Sequence, residues 1–559
     1  MDIKIVIGGE AGQGIQTISN IMSKFFLRSG YYVFTEQSYQ SRIRGGHNFT
    51  QVRVSSEPVS SPDDGIDILV ALNRETVDIH SSETGGIIIY DNELIKDLSG
   101  DKLFGVPLQK IAIEKTQNKL AVNSVACGVL AGLLDGDISI LERLMREQFK
   151  DPDIGEKNVL AVRSGYEIGK SNRTLPFKIT PLSQKGRLLI DGGSAVGFGA
   201  IVAGCRFLSA YPMTPGTAVM NFLAGHSKRF NIVVEQAEDE IAAINMVLGA
   251  SFAGVRSMVT TSGGGFALMV EGLSLAGMTE TPCVIHIGQR PGPATGLPTR
   301  TEQGELLFVI NAGHGEFPRY ITAPRDAEDA FYKTIKAFNL ADKYQIPSII
   351  LTDQFLIDSM TTIDSLDVKD IKIERHIVTE PDNNYARHLL TSSGISPRAL
   401  PGTEGILVIT DSDEHDEEGH ITEDLEIRKN MVEKRLKRGE YLKEDVEEPV
   451  FFGDKDSSIV LTGWGSTYGI LKEAVNRLTK EGISVSLLHF SDVYPLPDKT
   501  LNSLRDKRFI SVENNATGQL AQLIRRETGI NITERILKYN GRPFTPSEIV
   551  RRFKEICQI

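Results

Sequence analysis

The sequence is short of several things, and each shortage excludes a class of function. It has four cysteines in 559 residues, Cys127, Cys205, Cys283 and Cys557. They are scattered, so no CxxC or other compact metal-ligand spacing exists, and an iron–sulfur cluster has no ligand set here. Scattered cysteines in a chain long enough to bury its own core fit a reducing, cytoplasmic compartment. Basic residues number 61 against 73 acidic ones, a formal charge of -12. That balance excludes general nucleic-acid binding and adhesion to anionic membranes, which need basic surface. Long apolar runs are missing too. The most apolar stretch, 188–210, is broken by Asp191, Arg206 and repeated glycines, so no membrane span is expected. The opening MDIKIVIGGEAG lacks the basic-then-apolar order of a secretory signal.

What is present reads as α/β throughout. A strand at 3–7 runs into GGEAGQG and then a helical pattern at 15–27, with further buried strands expected at 66–72 and 86–91. This predicts a first domain over 1–170, followed by a polar, proline-containing linker over 171–186. Strands expected at 231–236, 256–262, 282–288 and 348–353, with a helix over 239–252, predict a mostly parallel, doubly wound sheet within 187–370. The remainder, 371–559, opens with an acidic and charged segment over 411–450. A third α/β unit follows, with strands at 457–466, 483–490 and 508–515.

Several local patterns carry chemistry on either of two readings. Gly12 and Gly14, between strand and helix, fit a phosphate-binding turn or merely a tight turn. Neither GxGxxG nor GxxxxGK[ST] is satisfied. In SRIRGGHN (41–48), Arg42 and Arg44 beside a diglycine suit a phosphate clamp or a solvated turn. YPMTP (211–215) sets Tyr211 and Thr214 between two prolines, where Thr214 either presents a hydroxyl or caps a helix. Glu240 is one carboxylate on an apolar helix, so it belongs to an ion pair or to a site, whereas Glu235, Glu238 and Asp239 are expected in solvent. The Gly/Pro/Thr-rich stretch 286–305 follows a buried strand, where α/β folds place ligands. Its cations, Arg290 and Arg300, can each hold a carboxylate bidentately. The acidic cluster 411–424, with His415 and His420, fails the EF-hand pattern and is expected to be a solvated loop.

Taken in order, GGEAGQGI, SRIRGGHN, YPMTP, EQAEDEIAAI, VIHIGQRPGPATGLPTRTEQGEL, DEHDEEGHITED and VENNATGQLAQLIRRETG resemble the α subunit of the 2-oxoacid:ferredoxin oxidoreductases, in the form with a γ domain fused ahead of α. The likeness covers essentially the whole chain and is nearest to the 2-oxoglutarate-type enzymes. It implies three parts: a γ-type domain, a thiamine-diphosphate pyrimidine-binding domain, and a C-terminal domain like that of transketolase. It also implies oxidative decarboxylation of a 2-oxo acid to acyl-CoA and CO2, with electrons passed to ferredoxin. On the resemblance, Glu240 bonds the cofactor's pyrimidine ring, Arg290 binds the substrate carboxylate and Thr214 contacts the 2-oxo acid. Tyr211 and Thr299 line the same pocket, and Gly12, Gly14, Arg42 and Arg44 dock coenzyme A. The chain has no GDG motif for Mg2+ and no cysteine cluster, so the resemblance assigns both to a separate β subunit. Thiamine diphosphate then sits at the interface of an αβ heterodimer, and this chain itself binds no metal. A self-sufficient nucleotide-binding oxidoreductase and a non-catalytic scaffold subunit are the competing readings.

Overall fold

The computed structural model describes residues 1–40, 45–172, 175–182, 186–381 and 384–559. The chain divides into two compact units. The first comprises Met1–Ile190, Asp358–Ser365 and Thr545–Ser547, and the second holds the rest.

The first unit is built on an eight-stranded mixed sheet, in the order Leu103–Val106, Thr84–Asp91, Ile66–Ala71, Asp2–Ala11, Gly45–Ser55, Tyr32–Ser38, Met360–Ile363 and Leu188–Asp191. Asp2–Ala11 pairs parallel with Ile66–Ala71 and antiparallel with Gly45–Ser55. Two expectations are corrected here. The opening strand does not end at Ile7 but continues through the first glycines to Ala11. The diglycine after Arg44 is not a turn: an 11-residue strand starts at Gly45, with Thr50–Ser55 buried on both faces between Asp2–Ala11 and Tyr32–Ser38. On the sheet lie the amphipathic helix Ile15–Arg28 and the pair Val122–Leu133 and Pro152–Ser171. These two helices approach through Gly128 and Gly132 on one and Gly165 and Gly169 on the other, where any Cβ would strike the facing backbone.

The second unit contains two sheets. The larger has seven strands, in the order Asp492–Tyr494, Tyr320–Thr322, Pro347–Asp353, Cys283–Gln289, Ser257–Ser262, Phe207–Ala210 and Val233–Gln236. All pair in parallel except Asp492–Tyr494. Its central strands read as continuous apolar runs because both faces are covered, and every residue of Cys283–Gln289 is buried. His286, inside that strand, is satisfied on both sides, by Thr260 Oγ1 and Thr352 Oγ1 at 2.8 Å each, and burial pulls its pKa down to about 3. It is a neutral core histidine. The smaller sheet has five strands, Val450–Gly453, Ser486–Phe490, Ile459–Trp464, Arg508–Glu513 and Glu534–Leu537. Val259, Ile285 and Ile349 of the larger sheet share one apolar core with Val460, Trp464 and Leu488 of the smaller.

Between the sheets in sequence, the irregular chain after residue 370 is held by buried charges. Asp342 receives Arg256 at 2.8 Å and Arg398 at 2.9 Å, and Glu280 receives Lys434 at 2.6 Å. The acidic cluster 411–424 is only partly a solvated loop, contrary to expectation. Glu414 is clamped by Arg428 and Arg435, and His415 is fully buried against the His388 ring. The mixed-charge sequence that follows forms the helix Leu425–Asp445, which supplies those arginines.

Candidate functional site

The polar groups of interest collect where the parallel strands of the seven-stranded sheet end, the position at which such sheets take ligands. Phe207–Ala210 delivers the chain into YPMTP, with the Thr214–Pro215 peptide cis. Thr214 does not cap the following helix, Thr217–Phe230, whose N-cap is Gly216 with no side-chain bond. Instead, the Arg290 guanidinium donates from Nη1 to the Thr214 carbonyl at 2.6 Å. Two predicted residues 76 positions apart are thereby joined. Arg290 is 9% exposed, and burial draws its pKa below the ordinary arginine range while Glu305 opposes the shift. Among the described residues its other guanidinium nitrogens bond to nothing. Tyr211 stands exposed at the start of the same turn, and Thr299 is buried farther along the 286–305 loop, its carbonyl receiving Arg300 Nη1.

Glu240 opens the helix Glu240–Phe252, where Asp239 caps the Ala242 N–H. Its neighbours Glu235, Glu238 and Asp239 are exposed, but Glu240 is 3% exposed. Among the described residues no cation pairs with it, and its Oε1 is buried without a hydrogen-bond partner. That leaves the site reading and removes the ion-pair reading. Room for the carboxylate exists only because residue 265 is glycine: a Cβ there would lie 2.7 Å from Glu240 Oε1.

The structure adds residues that sequence reasoning passed over. Ser262 ends the strand Ser257–Ser262 and stands at the N-cap of the helix Gly263–Leu268, and among the described residues its Oγ is buried and unbonded. Glu305 packs against the start of this helix, its Oε1 2.3 Å from where a Gly263 Cβ would be. Burial first, then Glu302, raises the Glu305 pKa to about 8. The signal for these residues was the run of three glycines after a buried parallel strand, facing an acid at the end of the Gly/Pro-rich loop.

In the first unit, Gly12 and Gly14 line one cavity of about 360 Å³ with Gln16, Tyr39, Gln40 and Asn48. Both glycines have positive φ, 91° and 84°, and Gly14 lies directly against the Asn123 side chain. Arg42 and Arg44 lie outside the described residues. A second cavity, about 420 Å³, is lined by Glu271, His314, Phe317 and Arg428 among others and contains no predicted residue.

Family comparison matches three segments of the chain. Residues 4–168 match pyruvate ferredoxin/flavodoxin oxidoreductase, and 198–434 match the thiamine-diphosphate-binding part of pyruvate flavodoxin/ferredoxin oxidoreductase. Residues 457–549 match core domain II of pyruvate:ferredoxin oxidoreductase. The 2-oxoacid:ferredoxin oxidoreductase subunit alpha of a Sulfolobus species is 36% identical over 98% of this chain and 96% of its own length. The chain belongs to the 2-oxoacid:ferredoxin oxidoreductase family. It is an α-type subunit with a γ-type domain fused ahead of it, an oxidoreductase subunit for 2-oxo acids with an iron–sulfur protein as acceptor. Its multidomain α/β fold carries a thiamine-diphosphate-binding domain, as the motifs implied. The 2-oxoglutarate synthase subunit KorA of Methanocaldococcus jannaschii is 32% identical over 60% of this oxidoreductase subunit and 90% of its own length. A solved structure, 2-oxoglutarate:ferredoxin oxidoreductase from Magnetococcus marinus with 2-oxoglutarate, coenzyme A and succinyl-CoA bound, aligns with a TM-score of 0.92. It is 34% identical and covered, like this chain, over 99% of its length.

Proposed function

We propose that this subunit holds the aminopyrimidine side of thiamine diphosphate and the carboxylate end of a 2-oxo acid, 2-oxoglutarate being the best match. The reaction is oxidative decarboxylation to acyl-CoA and CO2. The observation that carries the proposal is the buried, unpartnered Oε1 of Glu240 beside Gly265. An orphaned buried carboxylate oxygen is costly unless a ligand donor completes it, and a protonated ring nitrogen of the pyrimidine is a donor of the right kind. When bound, thiamine diphosphate supplies the carbon nucleophile and electron sink that decarboxylation of a 2-oxo acid requires. Glu240 fixes the ring's protonation state and orientation. Arg290, with one nitrogen committed to the Thr214 carbonyl and the rest of its fork unbonded among the described residues, anchors the substrate carboxylate. Thr214, Tyr211 and Thr299 complete the substrate pocket.

Coenzyme A is assigned to the first unit, at Gly12 and Gly14 with Arg42 and Arg44. The domains read as a γ domain over 1–170, a linker over 171–186, a pyrimidine-binding domain over 187–370 and a C-terminal domain over 371–559. Mg2+ and the iron–sulfur cluster belong to a β subunit with a GDG motif and clustered cysteines, and ferredoxin accepts the electrons. Among the described residues no group of three metal-ligating side chains occurs, and no helix is long and apolar enough to cross a membrane. Four free cysteines, three of them buried, support a cytoplasmic setting. The test is anaerobic reconstitution with the β partner. The proposal expects 2-oxoglutarate- and coenzyme A-dependent reduction of a low-potential dye by the pair and none by this chain alone. No reduction by a correctly assembled pair would overturn it.

A further inference from the structure

Glu305 is a second acid at the site, half-buried as a residue with its Oε2 enclosed, and neither the mechanism above nor the family motifs give it a task. Its backbone N–H donates to Gln289 Oε1 at 3.1 Å, and the Gln289 amide is anchored on the Thr352 carbonyl at 3.1 Å. Gln289 ends the strand that hands the chain to Arg290, so Glu305 is tied to the residue beside the proposed anchor. The carboxyl rests on Gly263, where any side chain would overlap it, and among the described residues its Oε2 is buried and bonds to nothing. Arg290 acts on Glu305 electrostatically, but no ion pair joins the two among the described residues.

A full negative charge in this position would oppose the ligand that Arg290 is placed to bind. We propose that Glu305 works as a neutral carboxyl, donating its O–H to the carboxylate ligand held by Arg290, so that binding draws a proton from solution onto Glu305 whenever it is ionised. The proposal rests on the reading of Arg290 as the substrate anchor. The charged groups that face Glu305 favour the neutral form. Burial acts first and Glu302 on the same loop second, with Asp353 at the end of Pro347–Asp353 adding to them. The Gly304 N–H and Arg290 oppose, and the balance leaves the carboxyl titrating at about 8. A donor that is neutral at pH 7 and lost in mild alkali makes substrate affinity pH-dependent in a window where free 2-oxo acids do not titrate.

The experiment uses the assembled complex and 2-hydroxyglutarate, which keeps both carboxylates but has no 2-oxo group to react. Calorimetric titrations at pH 8.5, in two buffers of different ionisation heat, measure proton uptake directly. Wild type should take up more than half a proton per site and bind about fourfold more weakly than at pH 7. Glu305→Gln, which keeps the shape and a donor, should take up none and bind equally at both pH values. Equal uptake by wild type and Glu305→Gln would overturn the proposal. So would negligible uptake by wild type alone, a result that does not depend on the variant folding. If Arg290→Lys leaves 2-hydroxyglutarate binding unchanged, the anchor reading fails. If binding depends on Arg290 but takes up no proton, only the role of Glu305 fails.

Discussion

The two sheets of the second unit each end in buried acid, and the two ends are finished differently. At the end of Arg508–Glu513, Glu513 is fully buried and fully answered. It accepts from Ser511 Oγ, Trp464 Nε1, Asn515 Nδ2 and the Leu520 and Ala521 N–H groups, at 2.7 to 3.2 Å. Asn514 and Asn515 add bonds to Gln303, closing the network. At the ends of the seven-stranded sheet, Glu240, Ser262 and Glu305 each keep a buried oxygen with no partner among the described residues. Native proteins satisfy buried polar groups, so the completed network is architecture, and the incomplete one is the place where the proposed function puts ligand atoms. The family motif VENNATGQL and the family motif EQAEDEIAAI thus have opposite physical meanings, although both read as acid near small residues.

The largest effect expected from this contrast is on Glu513. Glu513→Ala strands several buried donors at once, at about 1–3 kcal/mol each, so the folded chain should be lost or weakened by at least about 3 kcal/mol in chemical denaturation. A variant of ordinary stability would erase the distinction between the two ends. Next comes Gly265→Ala. The added Cβ would lie 2.2 Å from Thr261 Oγ1 and 2.7 Å from Glu240 Oε1 and displaces both, so dye reduction by the complex should fall about 100-fold while stability drops by about 1–3 kcal/mol. Arg290→Lys should be milder. It loses the planar fork, so KM for the 2-oxo acid should rise about tenfold with kcat and melting temperature nearly unchanged.

The smallest effects separate answered from unanswered carboxyls by the sign of their pH dependence. Burial raises the Glu414 pKa, but the Arg435 and Arg428 guanidinium groups outweigh it and hold the carboxyl at about 2. Its folded pKa lies below the unfolded one, so its stabilisation is complete above the usual carboxylate range and fades as pH falls toward about 2. Glu305 runs the other way. Its folded pKa is raised, so its contribution is present below the unfolded pKa and is lost as pH rises through about 8. Denaturation midpoints should therefore show wild type losing stability relative to Glu305→Gln progressively from about pH 5 to about pH 8, with the difference level above that.

Glu240 was legible in the sequence, since a single acid on an apolar helix must be answered or used, and the other acids of that stretch are indeed in solvent. The parallel strands were legible as well, because burial on both faces forces unbroken apolar runs such as CVIHIG. The bond from Arg290 to the Thr214 carbonyl was not, because it is made by two strand ends brought together by sheet order, which no local pattern encodes. Glu305 was hidden among other polar residues of its loop. Only the absence of a side chain at Gly263, the first residue of the helix Gly263–Leu268, shows that it points inward. The strand Gly45–Ser55 was missed because the diglycine that opens it has the composition of a turn, and Gly46 does take a left-handed φ of 75° before the buried residues take over.

The most direct test of the central claim is Glu240→Gln in the assembled complex, with thermal melting without cofactor and dye reduction with thiamine diphosphate measured on the same preparation. An unanswered site carboxylate predicts an unchanged melting temperature and reduction lowered at least about 100-fold. Full activity, or a melting temperature that collapses as for a structural acid, would contradict it.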